Sequence, residues 1–473
     1  MDEAGINESR VVCENSEGLK ISGTIIQLGR HEVVFEVYSP TAVIQTSEVL
    51  REFKIELRDR TAYSGRAVVK NLVHTELKIV CAAALDDGWQ LQVSAEDLQP
   101  GRMHALFKEH LRQWQKLYLI RQEYKLQIAD METFFAELRL WLDQVELGLR
   151  VGTSTDSRQI ENDVALELGG SVQPCVDALF EKFEHIAEAV EPEARPIHRK
   201  YMQRHLHPLI LCAPFVHRTF TKPLGYAGDY EMVNMIARNR PEGASLYAKI
   251  VNLCFLRQPP AAAHRNRLKH LTQRLVEETV RVASQGRSAR IFSLACGPAV
   301  EVQDFLREQE LSNHAEFTLL DFNEETLQHV TAAFTDLKTK LSRRTSVQVV
   351  KRSVHHLLKE SARGAVRPGG QQYDFVYCAG LFDYLTDAVC QRLMTLLYEW
   401  VAPGGLLLAT NVEPSNNPVR TGTEHLLDWH LIYRKGPQLK ALRPTQVASE
   451  DFVVGSDMSG VNLFMEVRKP RDG

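Results

Sequence analysis

From Ala289 onward the apolar residues gather into short runs separated by stretches with helical spacing, a rhythm that constrains the fold more than any other feature of the chain. The runs are RIFSL, FTLLD, VQVV, YDFVYC and GLLLATN, with EDFVVG and NLFMEVR near the end. Strands buried on both faces read as near-continuous apolar segments, and helical crossovers cover those faces. The expected architecture is therefore an α/β sheet.

At 473 residues the chain exceeds one ordinary hydrophobic core, so about two or three domains are expected. From Gly18 to Leu98, β-branched runs alternate with turn residues: ISGTIIQL, EVVFEVYS, FKIELRD, GRAVVKNLV, LKIVCAAAL and WQLQVS. That spacing predicts a small antiparallel barrel or sandwich. Met103 to Leu149 has no proline and no glycine before Gly148, and its apolar residues recur at three- and four-residue spacing. A long helix or a helix pair follows, with packing or a homodimer seam as its role. Further helical text runs through VDALFEKFEHIAEAV, breaks at EPEARP and resumes at HRKYMQRHLHPLIL.

The net charge of −4 disfavours a nucleic acid partner. Eight cysteines stand singly, without the paired spacing of a zinc or dithiol site, so no metal is expected and the thiols read as reduced. The polar start MDEAGINESR lacks a secretory pattern, and no apolar run reaches membrane-spanning length. A cytoplasmic protein is the expectation.

Within the α/β part, the first strand runs into Ala295-Cys296-Gly297-Pro298-Ala299-Val300-Glu301 and then a helix. Small residues at such a turn let a backbone approach a nucleoside closely, with Glu301 near the helix N-terminus. The second strand ends at Asp321, placed to receive ribose hydroxyls. Asp321 could instead cap the helix EETLQHV, and so could Asn323. A nicotinamide-dependent dehydrogenase would share both features.

The order LACGPAVE, LLDFN, VKRSVHHL, YDFVYCAGLFDYL and VAPGG resembles the class I S-adenosylmethionine-dependent methyltransferases. That resemblance implies a seven-stranded Rossmann-like sheet with an antiparallel last strand and S-adenosyl-L-methionine as cofactor. It places the methionine part near Ala295, Cys296 and Gly297, the ribose on Asp321 and the adenine beside Phe322, with Ser353 and Val354 after the third strand. Cys378 and Gly380 would close the pocket, with Phe382, Asp383 and Tyr384 at its rim. Glu301 and Asn323 complete the expected cofactor set. The chain departs from the family's commoner pattern at Pro298 and Ala299, and again at Ser353, where an acidic residue is common.

Upstream, GTIIQLGRHEVVFEV resembles the PilZ family of small β-barrels. Nucleotide-binding members carry a paired-arginine arm and a D/NxSxxG strand. Here Arg10 stands without its partner and the strand reads GTIIQLG, so cyclic di-GMP binding is not expected. A third resemblance, carried by GYAGDY, NPVR and DWHLIYR, is to bacterial methyltransferases assigned to making the 3-hydroxypalmitic acid methyl ester quorum-sensing signal. It implies a fatty-acyl carboxylate as methyl acceptor.

The expected division is 1–100 PilZ-like barrel, 101–200 helical linker or interaction region, 201–285 helical cap or substrate lid, and 286–473 methyltransferase domain. Pro214 to Val233 would lid the site, with Tyr226, Asp229 and Tyr230 as substrate contacts. After strand five, Asn411 precedes a stretch in which Glu424, Asp428, His430, Tyr433 and Arg434 are expected on one helix. Arg434 would grip an anionic acceptor, assisted by Asn411 and Tyr433. A carboxylate acceptor needs no strong base; for an alcohol, phenol or amine, His430, His205 or His207 would serve, with Tyr226 as a further catalytic candidate. Two other readings stay open: a protein methyltransferase, and a scaffold that binds the cofactor without turnover.

Overall fold

The computed structural model describes residues 9–38, 44–57, 60–75, 78–86, 101–115, 120–151, 157–361, 370 and 372–471. Six strands form a closed barrel: β1 (Ser9–Glu14), β2 (Lys20–Leu28), β3 (Glu32–Val37), β4 (Val49–Leu57), β5 (Arg60–His74) and β6 (Ile79–Leu85), in the order β1-β2-β3-β6-β5-β4. Antiparallel pairing of β1 with β4 closes it and leaves no free sheet edge. Alternate residues point inward, and Phe35 and Phe53 meet in the interior with ring centroids 5.9 Å apart.

The barrel starts at Ser9, earlier than expected, because SRVVCE is short and its alternation is brief. Arg10, read as lying ahead of the barrel, is part of β1 and pairs with Glu56. The WQLQVS run falls outside the described residues, as does most of the loop expected from Gly152 to Ser157.

A helical layer follows. The apolar spacing after Met103 resolves into two helices, α1 (Arg102–Gln115) and α2 (Gln122–Val151), followed by α3 (Ser157–Glu188) and α4 (Arg195–Ile210). The expected lid is α5 (Pro214–Thr221), a loop, and α6 (Tyr230–Arg238); α7 (Leu246–Leu256) and α8 (Pro259–Ala283) lead into the sheet. Tyr124, Phe135, Phe183, Met202 and Val251 share one buried core, to which α2 through α8 all contribute, so those helices pack as a unit. Among the described residues, no helix is long and apolar enough to cross a membrane.

The sheet contains β7 (Ala289–Leu294), β8 (Ala315–Asp321), β9 (Ser346–Lys351), β10 (Tyr373–Cys378), β11 (Val401–Val412), β12 (Phe452–Ser456) and β13 (Asn462–Arg468). Their order is β12-β13-β11-β10-β7-β8-β9, with β7 to β11 parallel and β13 antiparallel to both neighbours. Helices α9 (Val300–Glu308), α10 (Glu324–Leu341), α11 (Val354–Ser361) and α12 (Asp387–Trp400) connect the parallel strands. Two short helices, α13 (Arg420–Leu427) and α14 (Gly436–Lys440), lie between β11 and β12. All seven runs read from the sequence are strands of this one sheet.

The barrel is joined to the rest of the chain through polar contacts on backbone. Thr46 N–H donates to Tyr384 O (3.0 Å) and Val49 N–H to Gly225 O (2.7 Å). The Arg66 guanidinium donates to Phe220 O and Thr221 O, each at 3.0 Å. Ser47 Oγ donates to His430 O at 2.8 Å. These bonds hold the β3–β4 connection and strand β5 against the 220–225 segment, Tyr384 and His430.

Candidate functional site

Strand order reverses between β7 and β10, which leaves a crevice at the carboxyl ends of the strands. There the chain leaves β7 through a turn in which Ala295, Gly297 and Ala299 all have positive φ, at 54°, 51° and 49°. A Cβ at Gly297 would meet nothing within 4 Å, so this backbone faces open space rather than packed protein. The turn opens on a cavity of about 210 Å³, where a single water needs roughly 10–15 Å³. The space therefore suits an organic ligand.

Asp321 lies at the cavity wall beside this turn. Its Oδ2 accepts from Gly297 N–H (3.1 Å) and its Oδ1 from Asn323 N–H (3.0 Å). Burial pushes its carboxyl above the usual range, and these backbone N–H groups oppose the rise. Each oxygen keeps acceptor capacity for a further donor. Asn323, whose side chain accepts from Thr326 N–H (3.0 Å), is the cap of α10, so Asp321 is not engaged as that cap.

Of the residues singled out from sequence, Tyr226, Tyr230, Ala295, Cys296, Gly297, Glu301, Asp321, Phe322, Ser353, Val354, Gly380 and Tyr433 line this one cavity. Glu301, in the first turn of α9, accepts from Tyr377 Oη at 2.7 Å. Tyr226 packs on Phe322 with centroids 5.0 Å apart. Burial and the nearby Asp321 hold its phenol protonated, which makes it a donor rather than a base. Gly380 has φ +81°, and an added Cβ would lie 2.9 Å from the Arg267 guanidinium, so only glycine fits there.

Other expected residues stand apart from the cavity wall. Cys378 and Phe382 are completely buried in the sheet core. Asp229 caps α6 through Met232 N–H (2.9 Å) and accepts from Arg218 Nε at 2.8 and 3.0 Å. The helix expected to carry Glu424 through Arg434 ends at Leu427, where Asp428 takes a left-handed conformation at φ 48°. Asp428 is bound instead by Arg199 Nη1 at 2.8 Å and Gln203 Nε2 at 3.1 Å.

Arg434 does not reach the cavity. It is 1% exposed, and its guanidinium donates to Asp387 Oδ1 (2.7 Å), Phe382 O (2.8 Å), Asn411 Oδ1 (2.7 Å) and Leu385 O (2.6 Å). These contacts leave no fork for an acceptor carboxylate, so the clamp expectation is corrected: Arg434 ties the segment after β10 to the end of β11. Asn411 serves the same tie, its amide donating to Val412 O and Ile432 O.

His430 is buried away from the cavity, held neutral by desolvation. His205 bonds Glu132 at 2.8 Å, and His207 bonds Leu426 O at 2.8 Å. None of the three reaches the cavity wall.

Several lining residues were invisible to sequence reasoning. Arg267 and His264 project from α8, and Arg267 Nη2 donates to His264 Nδ1 at 3.0 Å. Burial and that guanidinium keep His264 neutral. Arg267 Nε is buried without a hydrogen-bond partner among the described residues. Because α8 also carries Arg265, Lys269 and His270, spacing alone does not tell an inward cation from a solvated one. Glu17 and Gln45 reach the wall from the barrel, which no local pattern could reveal.

No protein-family model matches the chain, and no curated protein sequence matches it. Among solved structures, a possible exported protein of Bordetella parapertussis is similar at 16% identity over 54% of this chain and 86% of its own, with a TM-score of 0.39. Magnesium protoporphyrin IX methyltransferase of Synechocystis PCC 6803, solved with bound SAH, is similar at 10% identity over 44% and 84%, with a TM-score of 0.31. The pyocyanin biosynthetic protein PhzM is similar at 14% identity over 58% and 71%, with a TM-score of 0.32. These likenesses are loose, and the functional reading rests on the cavity itself.

Proposed function

We propose that this chain binds S-adenosylmethionine in the cavity at the carboxyl ends of β7, β8 and β10 and transfers its methyl group to an oxygen of a small apolar acceptor. The observation that carries the reading is Asp321, a buried carboxylate fixed by Gly297 and Asn323 N–H groups beside an open backbone turn. A ribose offers two hydroxyl donors to such a carboxylate.

The remaining residues fit the same molecule. Arg267, buried with an unpartnered Nε, would bind the amino-acid carboxylate, and Glu301 and Asp383 on the same wall would receive the ammonium. When bound, the cofactor supplies an electrophilic methyl group on a sulfonium. An acceptor oxygen displaces it in line, forming the O–C bond as the C–S bond breaks and leaving a thioether. The protein's share of that step is alignment and exclusion of water.

The cavity is also lined by Phe180, Phe215, Met232, Ile236, Phe255 and Leu427, all but Leu427 from the helical layer that covers the sheet's carboxyl end. This apolar lining suits an alkyl chain, and it supports a fatty-acid carboxylate, including a 3-hydroxy acid, as acceptor. A carboxylate is ionised already and requires no base. The imidazole that faces the cavity, His264, already accepts from Arg267 and is held neutral, so it serves as a contact rather than as a base.

The test is calorimetry with S-adenosylmethionine followed by methyl-labelled cofactor offered with a lipid extract. Label entering the organic phase is expected. Label entering protein would point to a protein methyltransferase, and binding without transfer to a cofactor-sensing scaffold.

A further inference from the structure

Phe322 follows the proposed ribose ligand, Ser353 and Val354 follow the neighbouring strand β9, and all three line the cavity, so with the ribose on Asp321 they would border the purine. The amino group of adenine is a hydrogen-bond donor and calls for an acceptor. The α/β sheet does not offer a carboxylate there: Ser353 Oγ is engaged with His356 Nδ1 at 2.9 Å, and Val354 is apolar. Four acidic residues line the cavity. Asp321 is placed for the ribose, while Glu301 and Asp383 face Arg267. The fourth is Glu17, from the β1–β2 hairpin of the barrel, whose carboxylate accepts from the Ser353 side chain beside His355 and His356 and keeps acceptor capacity for a further donor.

Hydrogen bonds hold the hairpin backbone on both sides of Glu17. Asn15 Oδ1 accepts from Glu17 N–H (3.1 Å) and Leu19 N–H (2.8 Å), and Ser16 N–H donates to the buried Glu48 carboxylate at 2.9 Å. Ser16 and Arg51 also pack over Gly225, next to Tyr226. The barrel thus brings a carboxylate on a hydrogen-bonded hairpin to the edge of the α/β site.

We propose that Glu17 reads the adenine amino group of the bound nucleoside, so that the barrel completes the cofactor site. The inference rests on the cofactor reading above. It assigns the barrel a direct part in base recognition, in place of a remote regulatory one.

The experiment titrates the full chain with S-adenosylhomocysteine and with S-inosylhomocysteine, which carries an oxo group in place of the amino group. The parent is expected to prefer the adenine nucleoside by on the order of tenfold or more, since the amino donor facing the carboxylate is replaced by an oxo acceptor that repels it. Glu17→Ala should bring the two affinities within about threefold of one another. The isosteric Glu17→Gln, able to turn its amide N–H toward the oxo group, should narrow or invert the preference. Equal weakening of both ligands, as expected of a mere latch between barrel and sheet, overturns the proposal, and so does an unchanged preference in Glu17→Ala. A parent chain that binds neither nucleoside overturns the cofactor reading and this inference together, an outcome distinct from both.

Discussion

Asp321, at the end of β8, and Arg434, in the segment after β11, are both buried charges read from sequence as ligand-binding, yet their surroundings differ in kind. Asp321 has one backbone partner per oxygen and faces a cavity. Arg434 is surrounded by Asp387, Asn411 and two backbone carbonyls, and no face of it is open. A buried charge is available to a ligand only while part of its hydrogen-bonding capacity stays unused toward open space. By that criterion the β7–β8 end is a site, and the 411–434 segment is mostly interior.

The sharpest way to break this contrast is Arg434→Ala. Removing the guanidinium withdraws its donors from three buried acceptors, Phe382 O, Leu385 O and Asn411 Oδ1, so a loss of about 3–5 kcal/mol in folding stability is expected from chemical denaturation. Arg434→Lys should also be destabilised, because one ammonium cannot span the same directions. A Lys variant with parental stability and defective methyl transfer would restore the clamp.

Asp321→Ala should behave oppositely, keeping the fold while weakening S-adenosylmethionine binding. Loss of hydrogen bonds to a charged acceptor is worth about 1.5–3 kcal/mol, or roughly ten- to a hundredfold in affinity. An unchanged dissociation constant in the folded variant would remove Asp321 from the ribose site.

The interior character of the second region has a pH signature. His425, on α13, bonds Tyr124 Oη at 3.0 Å and is held neutral by burial, its pKa lowered from 6.5 to about 3. The unfolded chain therefore takes up a proton near pH 6.5 that the folded chain refuses, so this group destabilises the fold as pH falls from 6.5 toward 3. The stability advantage of the parent over His425→Gln should shrink by about 2 kcal/mol between pH 7 and pH 5. A pH-independent difference would mean that His425 protonates freely in place.

The smallest effect is expected at Arg267, whose charge is buried and incompletely bonded. Arg267→Met should cost on the order of tenfold in cofactor affinity with no loss of folding stability, because it also removes the burial cost of the cation. A severely destabilised variant would class Arg267 with Arg434 instead.

The two regions also differ in what their residues disclosed beforehand. Strand β8 is a continuous apolar run ending in an acid, and β7 meets a small-residue turn, so both position and chemistry are encoded within a few residues. The segment after β11 carries polar residues at helix-compatible spacing through Arg434, but Asp428 turns left-handed and ends the helix because Arg199 and Gln203 hold its side chain from α4. No local pattern contains that long-range partner. Glu17 was hidden for the same reason: the strand before its hairpin, SRVVCE, is too brief to reveal the barrel's true start, and the cavity it reaches is assembled from the other end of the chain. Arg267 was masked by the other cations of α8.

The central claim is that the cavity beside Gly297 and Asp321 holds S-adenosylmethionine, and calorimetric titration of the full chain with that cofactor tests it most directly. Saturable binding with one molecule per chain, weakened in Asp321→Ala and unaffected by nicotinamide dinucleotides added in excess, is the predicted result. Absence of binding by the folded parent, or displacement by a nicotinamide dinucleotide, would contradict the account.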